Sequence, residues 1–187
     1  LVREQIFEPA VEQMRQDFDN HPVTREIENG NASDNISDTL IGVKSKDNPQ
    51  NLFSFIGFEN GSDPVSPIRN ILDEENESGP KVKYIRGSQQ DGLRFKFAFT
   101  PPSKEEMFNE TPMPWAEGLS WADRIEKGIP GITHFLSKPG IKGSRSEGGI
   151  QVDANISPGA RFRNVSYISG IINKFLENIR RGTRRGI

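Results

Sequence analysis

Between residues 168 and 179 the chain carries Ile168, Ile171, Ile172, Phe175, Leu176 and Ile179, apolar at the i, i+3, i+4, i+7, i+8 and i+11 positions of one helical face. A helix with so wide an apolar stripe has to cover it with a second layer of structure. Gly182 is expected to stop this helix, leaving residues 180–187 as a basic tail that contains Arg180, Arg181, Arg184 and Arg185. The other terminus offers a second helix over residues 1–19. Val2, Ile6, Ala10, Met14 and Phe18 recur there at four-residue steps, and Phe7 and Val11 widen the stripe. Pro9 is expected to kink it or to mark a later start. Asn20-His21-Pro22 is expected to end it, because a residue before proline is pushed out of helical geometry.

Strand signals lie between the two helices. Leu93, Phe95, Phe97 and Phe99 alternate with Arg94, Lys96 and Ala98, which puts the aromatic rings on one face and the charges on the other. Lys81–Arg86 reads as a partner strand, and Gln90-Asp91-Gly92 between them is good hairpin-turn chemistry. Residues 81–99 therefore read as an antiparallel hairpin with an aromatic inner face. Residues 51–58, Asn-Leu-Phe-Ser-Phe-Ile-Gly-Phe, read as a short apolar strand, and Ile150, Val152, Ala154 and Ile156 alternate as another. Ile68, Ile71 and Leu72 are spaced as a short helix. Two helix starts are marked by capping chemistry: Ser103 with Glu106 three residues on, and Ser120 with Asp123, followed by Gly128 as a stop. Thr111–Trp115, with two prolines, reads as stiff and extended. The stretches 29–51 (Asn, Ser, Asp, Gly) and 128–149 (six glycines) read as extended loops. The expectation is a single α+β domain over 1–187, a small antiparallel sheet packed with an N-terminal and a C-terminal helix and carrying long loops.

Composition narrows the chemistry. The chain has no cysteine, which excludes a disulfide framework, a thiolate metal site and thiol catalysis. The two histidines, His21 and His134, lie far apart with no carboxylate at ligand spacing, so no metal is expected. Asp123 and Glu126 share a helix face, and Glu105 and Glu106 are adjacent, but an ion-pair or helix-end role suits them better than acid–base work. Gly140-Ile-Lys-Gly143-Ser-Arg145-Ser146 is basic and glycine-rich without phosphate-loop spacing; it reads better as a loop docking on a neighbour. No catalytic set and no cofactor are expected. No apolar run is long enough to span a membrane, and no secretory signal opens the chain. It opens on Leu1 rather than methionine, so a start residue or short leader is expected before it.

The charge is divided. Residues 1–92 hold 17 acidic and 9 basic groups, and residues 93–187 hold 9 acidic and 15 basic groups. Opposed charge on two halves suits a chain that packs against its own copies, and a basic end suits nucleic acid or an acidic neighbour. Trp115 and Trp121 read as local packing or as interface anchors, tryptophan being favoured at hot spots.

The order of parts resembles the neck or tail-completion proteins of tailed bacteriophages. The residues that carry the resemblance are Trp115-Ala-Glu-Gly-Leu-Ser-Trp-Ala-Asp-Arg-Ile-Glu-Lys-Gly128, with an aromatic–Ala pair at Trp121-Ala122 followed by Glu126-Lys127-Gly128. The run His21-Pro-Val-Thr-Arg-Glu-Ile27 also looks like the neck proteins of large contractile-tailed marine phages. The loops at 29–50 and 128–149 are longer than the minimal family fold. The resemblance implies a structural virion protein, assembled in the host cytoplasm, that forms a homo-oligomeric ring between the head connector and the tail-tube or tail-terminator protein. Non-specific contact with packaged DNA is a further implication. In such a ring the contacts expected between subunits are Trp115, Trp121, Arg124, Glu126, Arg145, Arg161, Arg180 and Arg181. The alternative reading is a nucleic-acid-binding module using the basic C-terminal residues, and a carboxylate hydrolase using Asp123 and Glu126 comes last.

Overall fold

The N-terminal apolar stripe folds as expected, and Pro9 does not break it. In the computed structural model, which describes residues 1–41, 51–85, 96–128, 134–137, 150–153 and 161–184, a π-helical turn at Arg3–Phe7 runs directly into α1, Glu8–Asp19. For 134–137, 150–153 and 161 the description is of the backbone alone. A proline ring collides with the carbonyl four residues back in a regular helix. Here the turn before it is widened: the Glu8 N–H reaches back to the Arg3 carbonyl. That opening lets Pro9 sit at the start of α1 inside a continuous helix. Ile6, Phe7, Ala10, Val11, Met14 and Phe18 are buried along the face.

α1 ends at Asn20 as expected, but the chain re-enters a helix at once. α2, Pro22–Glu28, is capped by His21, whose Nδ1 accepts the Val23 N–H at 3.2 Å. The same ring's Nε2–H donates to the Ser166 carbonyl at 3.1 Å, and the ring rests 4.9 Å from that of Tyr167. Both nitrogens are therefore engaged with the imidazole neutral. Burial holds the His21 pKa below its ordinary 6.5, the Ser166 carbonyl pulls the other way, and nearby Lys174, Asp17 and Glu126 act more weakly. A group whose folded pKa is depressed stabilises the fold above the unfolded value, and that stability is lost as pH falls below it. The midpoint of urea unfolding is thus expected to drop as pH falls from 6.5, and to drop less in His21→Asn, which can still cap α2. Equal pH slopes in the two proteins would refute this.

After a 3-10 turn at Gly30–Ala32 come β1, Leu40–Ile41, and α3, Leu52–Ile56. The strand expected over 51–58 is a helix. Asn51 Oδ1 accepts the Ser54 N–H at 2.9 Å to start it, and Gly57 at φ +85° ends it. All five side chains are buried, so no wet face existed to betray the helical period. α4, Ser66–Ile71, matches the spacing of Ile68 and Ile71. β2, Lys81–Ile85, and β3, Lys96–Thr100, pair antiparallel with Val82 opposite Phe99 and Tyr84 opposite Phe97. The hairpin turn and Leu93, Arg94 and Phe95 lie outside the described residues.

α5, Lys104–Asn109, starts at Ser103, whose Oγ accepts the Glu106 N–H at 3.2 Å. Thr111–Trp115, read as extended, holds the short strand β4 (Pro112–Met113), which turns tightly at Trp115 to pair with β5 (Ala116–Ser120). α6, Trp121–Lys127, starts at Ser120, whose Oγ accepts the Asp123 N–H at 3.1 Å, and stops at Gly128 with φ +86°. Inside the glycine-rich stretch β6, His134–Ser137, pairs with β7, Ile150–Asp153; the rest of 129–149, with 154–160, lies outside the described residues. β8, Arg161–Phe162, pairs with β1. Among the described residues the strands form four separate two-stranded ribbons, so the hairpin and the 150–153 strand do not join in one central sheet.

The chain closes with α7, Ile168–Arg184. It runs through Gly182 instead of stopping there. A Cβ at that position would stand 2.8 Å from Ile6 Cγ2, so glycine is what lets α7 lie against the first helical turn. Arg180, Arg181 and Arg184 are thereby helical, and residues 185–187 lie outside the described residues. α1 and α7 pack antiparallel: Ile6 meets Gly182 at one end, Phe7 meets Phe175 edge-on at 6.3 Å, and Phe18 stacks on Tyr167 at 6.0 Å at the other. This pair is the spine of the core, and α2, α3, α4 and α6 close around it. The fold is α+β with helices at both termini, but its core is helical and the aromatic hairpin sits at the margin.

Candidate interaction surfaces

Much of the acidic first half is matched inside the chain. Arg3 pairs with Glu74 at 2.5 Å and Arg15 with Asp73 at 2.5 Å, so α1 and the turn before it hold the acidic run at 73–77. Lys81 Nζ donates to the Glu74 and Asn76 carbonyls at 2.6 and 2.5 Å from the far side. Arg69 bridges Asp19, at 2.9 Å, and Glu28, and these two carboxylates hold its guanidinium pKa above its ordinary value. Asp38 meets Arg163 at 2.9 Å and Asp17 meets Lys174 at 3.8 Å. Exposed pairs of this kind each contribute at most about 1 kcal/mol, so they fix orientation more than they stabilise. Among the described residues Lys83, Lys96, Arg180 and Arg184 are exposed and make no ion pair with a carboxylate.

The residues expected at subunit contacts divide sharply. Trp121 is 1% exposed, edge-on to Phe58 at 5.7 Å and 6.1 Å from Tyr167. It belongs to the chain's own core and has no surface to offer a neighbour. Glu126 is also turned inward. Its Oε1 accepts the Ser169 N–H at 2.5 Å, and its Oε2 accepts from Ser169 Oγ at 2.6 Å and from Lys104 Nζ at 3.2 Å. A carboxylate at an open helix N-terminus satisfies orphan N–H groups, so α6 caps α7 with this side chain. Its supposed partner in acid–base work, Asp123, forms an i,i+4 pair with Lys127 at 2.8 Å instead.

Trp115 is the opposite case. It is 49% exposed, and its indole N–H donates to the Ile56 carbonyl at 2.8 Å. The ring lies over Gly57, where a Cβ would stand 3.7 Å from its Cδ1. The β4–β5 hairpin thus presents a fixed, half-wet indole. Arg124 is half-buried, with Nε enclosed and without a hydrogen-bond partner among the described residues, beside a groove of about 340 Å³ that Asn109, Asp123 and Lys127 also line. Arg180 is exposed and Arg181 pairs with Glu177 at 3.2 Å. Arg145 lies outside the described residues, and of Arg161 only the backbone, opposite Ile41, is described.

Of the aromatic row Leu93, Phe95, Phe97 and Phe99, the first two lie outside the described residues and the last two are half-buried. Phe99 stacks on Phe7 at 6.3 Å, but Tyr84, tilted against Phe97 at 5.5 Å, is 52% exposed, and Ile85 on the other face is 46% exposed. Between this face and the helix termini lies a mainly apolar groove of about 880 Å³, lined by Leu1, Val2, Ile6, Tyr84, Phe97 and Phe99 together with Arg3 and Thr183. The period-two pattern revealed the face, but only the packing shows that the described residues leave part of it open. A second, more polar groove of about 640 Å³ follows the seam of α1 and α7 past Gln13, Asp17, Lys174 and Glu177. No helix is long and apolar enough to cross a membrane, and no cluster of three or more metal-ligating side chains stands together, among the described residues. Comparison with protein-family models, with curated proteins and with solved structures yields no match.

Proposed function

We propose that this chain is a structural subunit that works by docking on its own copies and on adjoining proteins, as a neck or tail-completion ring of a tailed phage virion. The observation that supports the docking is the β2–β3 ribbon. A two-stranded ribbon is marginal in water, and this one has an aromatic face that the described residues cover only in part. The phage setting rests on the resemblance carried by residues 115–128 and 21–27. The experiment is mass determination of the purified chain across a concentration series, with negative-stain electron microscopy of it alone and with phage particles. Closed multimers of the 21.0 kDa chain, and its presence at a head–tail junction, are the expected outcome. A chain that stays monomeric and never travels with particles would defeat the reading.

A second reading, contact with nucleic acid, is favoured by Arg180 and Arg184. They lie four residues apart on the exposed side of α7 in its last turns, without carboxylate partners among the described residues. With Arg181 and Arg185 they could neutralise four phosphates. DNA binding is then expected to fall with salt at a log–log slope of about −3 to −4, and to lose that slope when residues 180–187 are deleted. No binding at low salt would eliminate it.

A further inference from the structure

We infer that the groove between α5, the β4–β5 hairpin and α6 is a carboxylate-binding site centred on Arg124. The inference goes beyond the self-assembly reading and does not depend on it.

Its starting point is an unsatisfied group. Arg124 is half-buried, and its Nε is enclosed without a hydrogen-bond partner among the described residues. Its guanidinium has no ion-pair partner among them either. An enclosed donor normally finds an acceptor, because leaving it unpaired forfeits its hydration. A guanidinium also keeps its charge at every ordinary pH. A water in the groove would accept from the N–H but bring no opposite charge, whereas an anion does both.

The groove is built to admit one. Its volume, about 340 Å³, lies at the low end of ligand pockets, about 300–1,000 Å³, and suits a small acid or a single side chain rather than a nucleotide. One wall comes from an irregular hairpin. The register jumps from Met113 opposite Ala116 to Pro112 opposite Ser120, so Glu117, Gly118 and Leu119 stand opposite no residue of β4. Bulges of this kind re-aim a strand beside a site, and here the bulged Gly118 and Leu119 line the groove. Gly118, at φ +71°, leaves open space where a Cβ would stand.

Charge sets the class of ligand. Among the described residues that line the groove, Asp123, Arg124 and Lys127 are charged. Asp123 and Lys127 pair at 2.8 Å and cancel one another. Glu126, next on the helix, is turned away to Ser169 and Lys104. The single positive charge of Arg124 is left over. A carboxylate monoanion cancels it, while a phosphate dianion would bring excess negative charge beside Asp123. Shape agrees with charge. The Nε–H and one Nη–H form a flat edge of the guanidinium that matches the two oxygens of a carboxylate. Phe108, Pro112 and Leu119 offer apolar contact to the stem that carries it. That carboxylate belongs to a small free acid or to an acidic side chain of an adjoining protein, and the two share the same chemistry at Arg124.

The test follows the Arg124 Nε–H signal in proton–nitrogen correlation spectra of the full chain at fixed ionic strength. Butyrate is expected to shift it saturably, and butyramide, of the same shape without the charge, to leave it in place. Arg124→Lys keeps the charge but loses the two-donor edge. Its butyrate affinity, read from the Gly118 and Leu119 amide signals, is expected to fall about tenfold or more. Urea titration checks that this variant is folded, and the wild-type result decides alone if it is not. A capped Ala-Glu-Ala peptide that binds more tightly than butyrate assigns the carboxylate to an adjoining protein, and one that binds no more tightly assigns it to a free acid. No shift with butyrate, an equal shift with butyramide, or tighter binding of inorganic phosphate than of butyrate would each overturn the inference. So would a folded Arg124→Lys that binds butyrate as well as the wild type.

Discussion

Trp121→Ala is expected to lower the unfolding free energy by about 3–5 kcal/mol, the usual loss when a fully buried aromatic is truncated. The indole is 1% exposed and joins three pieces of chain that are distant in sequence: Phe58 beyond α3, the first turn of α6, and Tyr167 at the entry to α7. Tyr167 in turn bonds Thr24 of α2 through its hydroxyl at 2.9 Å, and burial pushes its phenol pKa up. A cavity at Trp121 would therefore loosen the corner where α2, α6 and α7 meet. Domains of this kind have only about 5–15 kcal/mol in total, so the variant should be close to unfolding at 25 °C. Urea titration measures it, and Trp115→Ala is the control, with an expected loss of about 1 kcal/mol for one half-exposed hydrogen bond. Equal losses in the two variants would mean that the two tryptophans do not differ in burial as described.

The second large effect is expected at Glu26, a fully buried carboxylate on α2 with no cation beside it among the described residues. Its Oε2 accepts the Ser37 N–H and its Oε1 the Leu52 N–H, each at 2.7 Å. One side chain thus ties the 33–40 loop and the first turn of α3 to α2. Asn51 repeats the device, donating to the Asn31 and Ser33 carbonyls at 3.0 and 2.8 Å. Glu26→Ala leaves two buried N–H groups without acceptors, at about 1–3 kcal/mol each, so a loss of about 2–6 kcal/mol is expected. Glu26→Gln keeps the shape but can accept through one oxygen only, and should lose about half as much. Burial raises the Glu26 pKa above its ordinary 4.5, while the two N–H donors and the Ser37 side chain oppose the rise. A raised carboxyl pKa means that its contribution is full below the unfolded value and is lost as pH rises through the folded one. The stability difference between wild type and Glu26→Gln, followed by urea titration from pH 4 upward, should therefore shrink across that window and level off above it. A difference that grows with pH would show that the ionised form is the favoured one in the fold.

Both effects involve residues whose importance the sequence concealed. Glu26 lies within the run His21–Ile27, noted only for its resemblance to phage neck proteins, and nothing in the order of residues announces a buried acid. Trp115 and Trp121 are six residues apart in one hairpin-and-helix segment, and no local signal separates the one in the core from the one in water. The aromatic face of the β2–β3 ribbon has the same character. Phe97 and Phe99 were legible as one face of a strand, but whether that face was covered depended on how far α7 and the N-terminal turn reached over it.

What the chain determined alone is what depends on neighbours within a few residues. The stripes of α1 and α7 needed only a wet face opposite a dry one, and the Ser103, Ser120 and Gly128 caps needed only a side chain or a φ angle at a helix end. The Lys81–Ile85 and Lys96–Thr100 pairing likewise followed from period-two alternation. Tertiary structure decided the rest. It made 52–56 a helix because burial on every side erases periodicity, and it carried α7 through Gly182 because a missing Cβ there serves contact with Ile6. It split the strands into ribbons around a helical core, and left one aromatic face open, because apolar area is covered by whichever elements reach it in space.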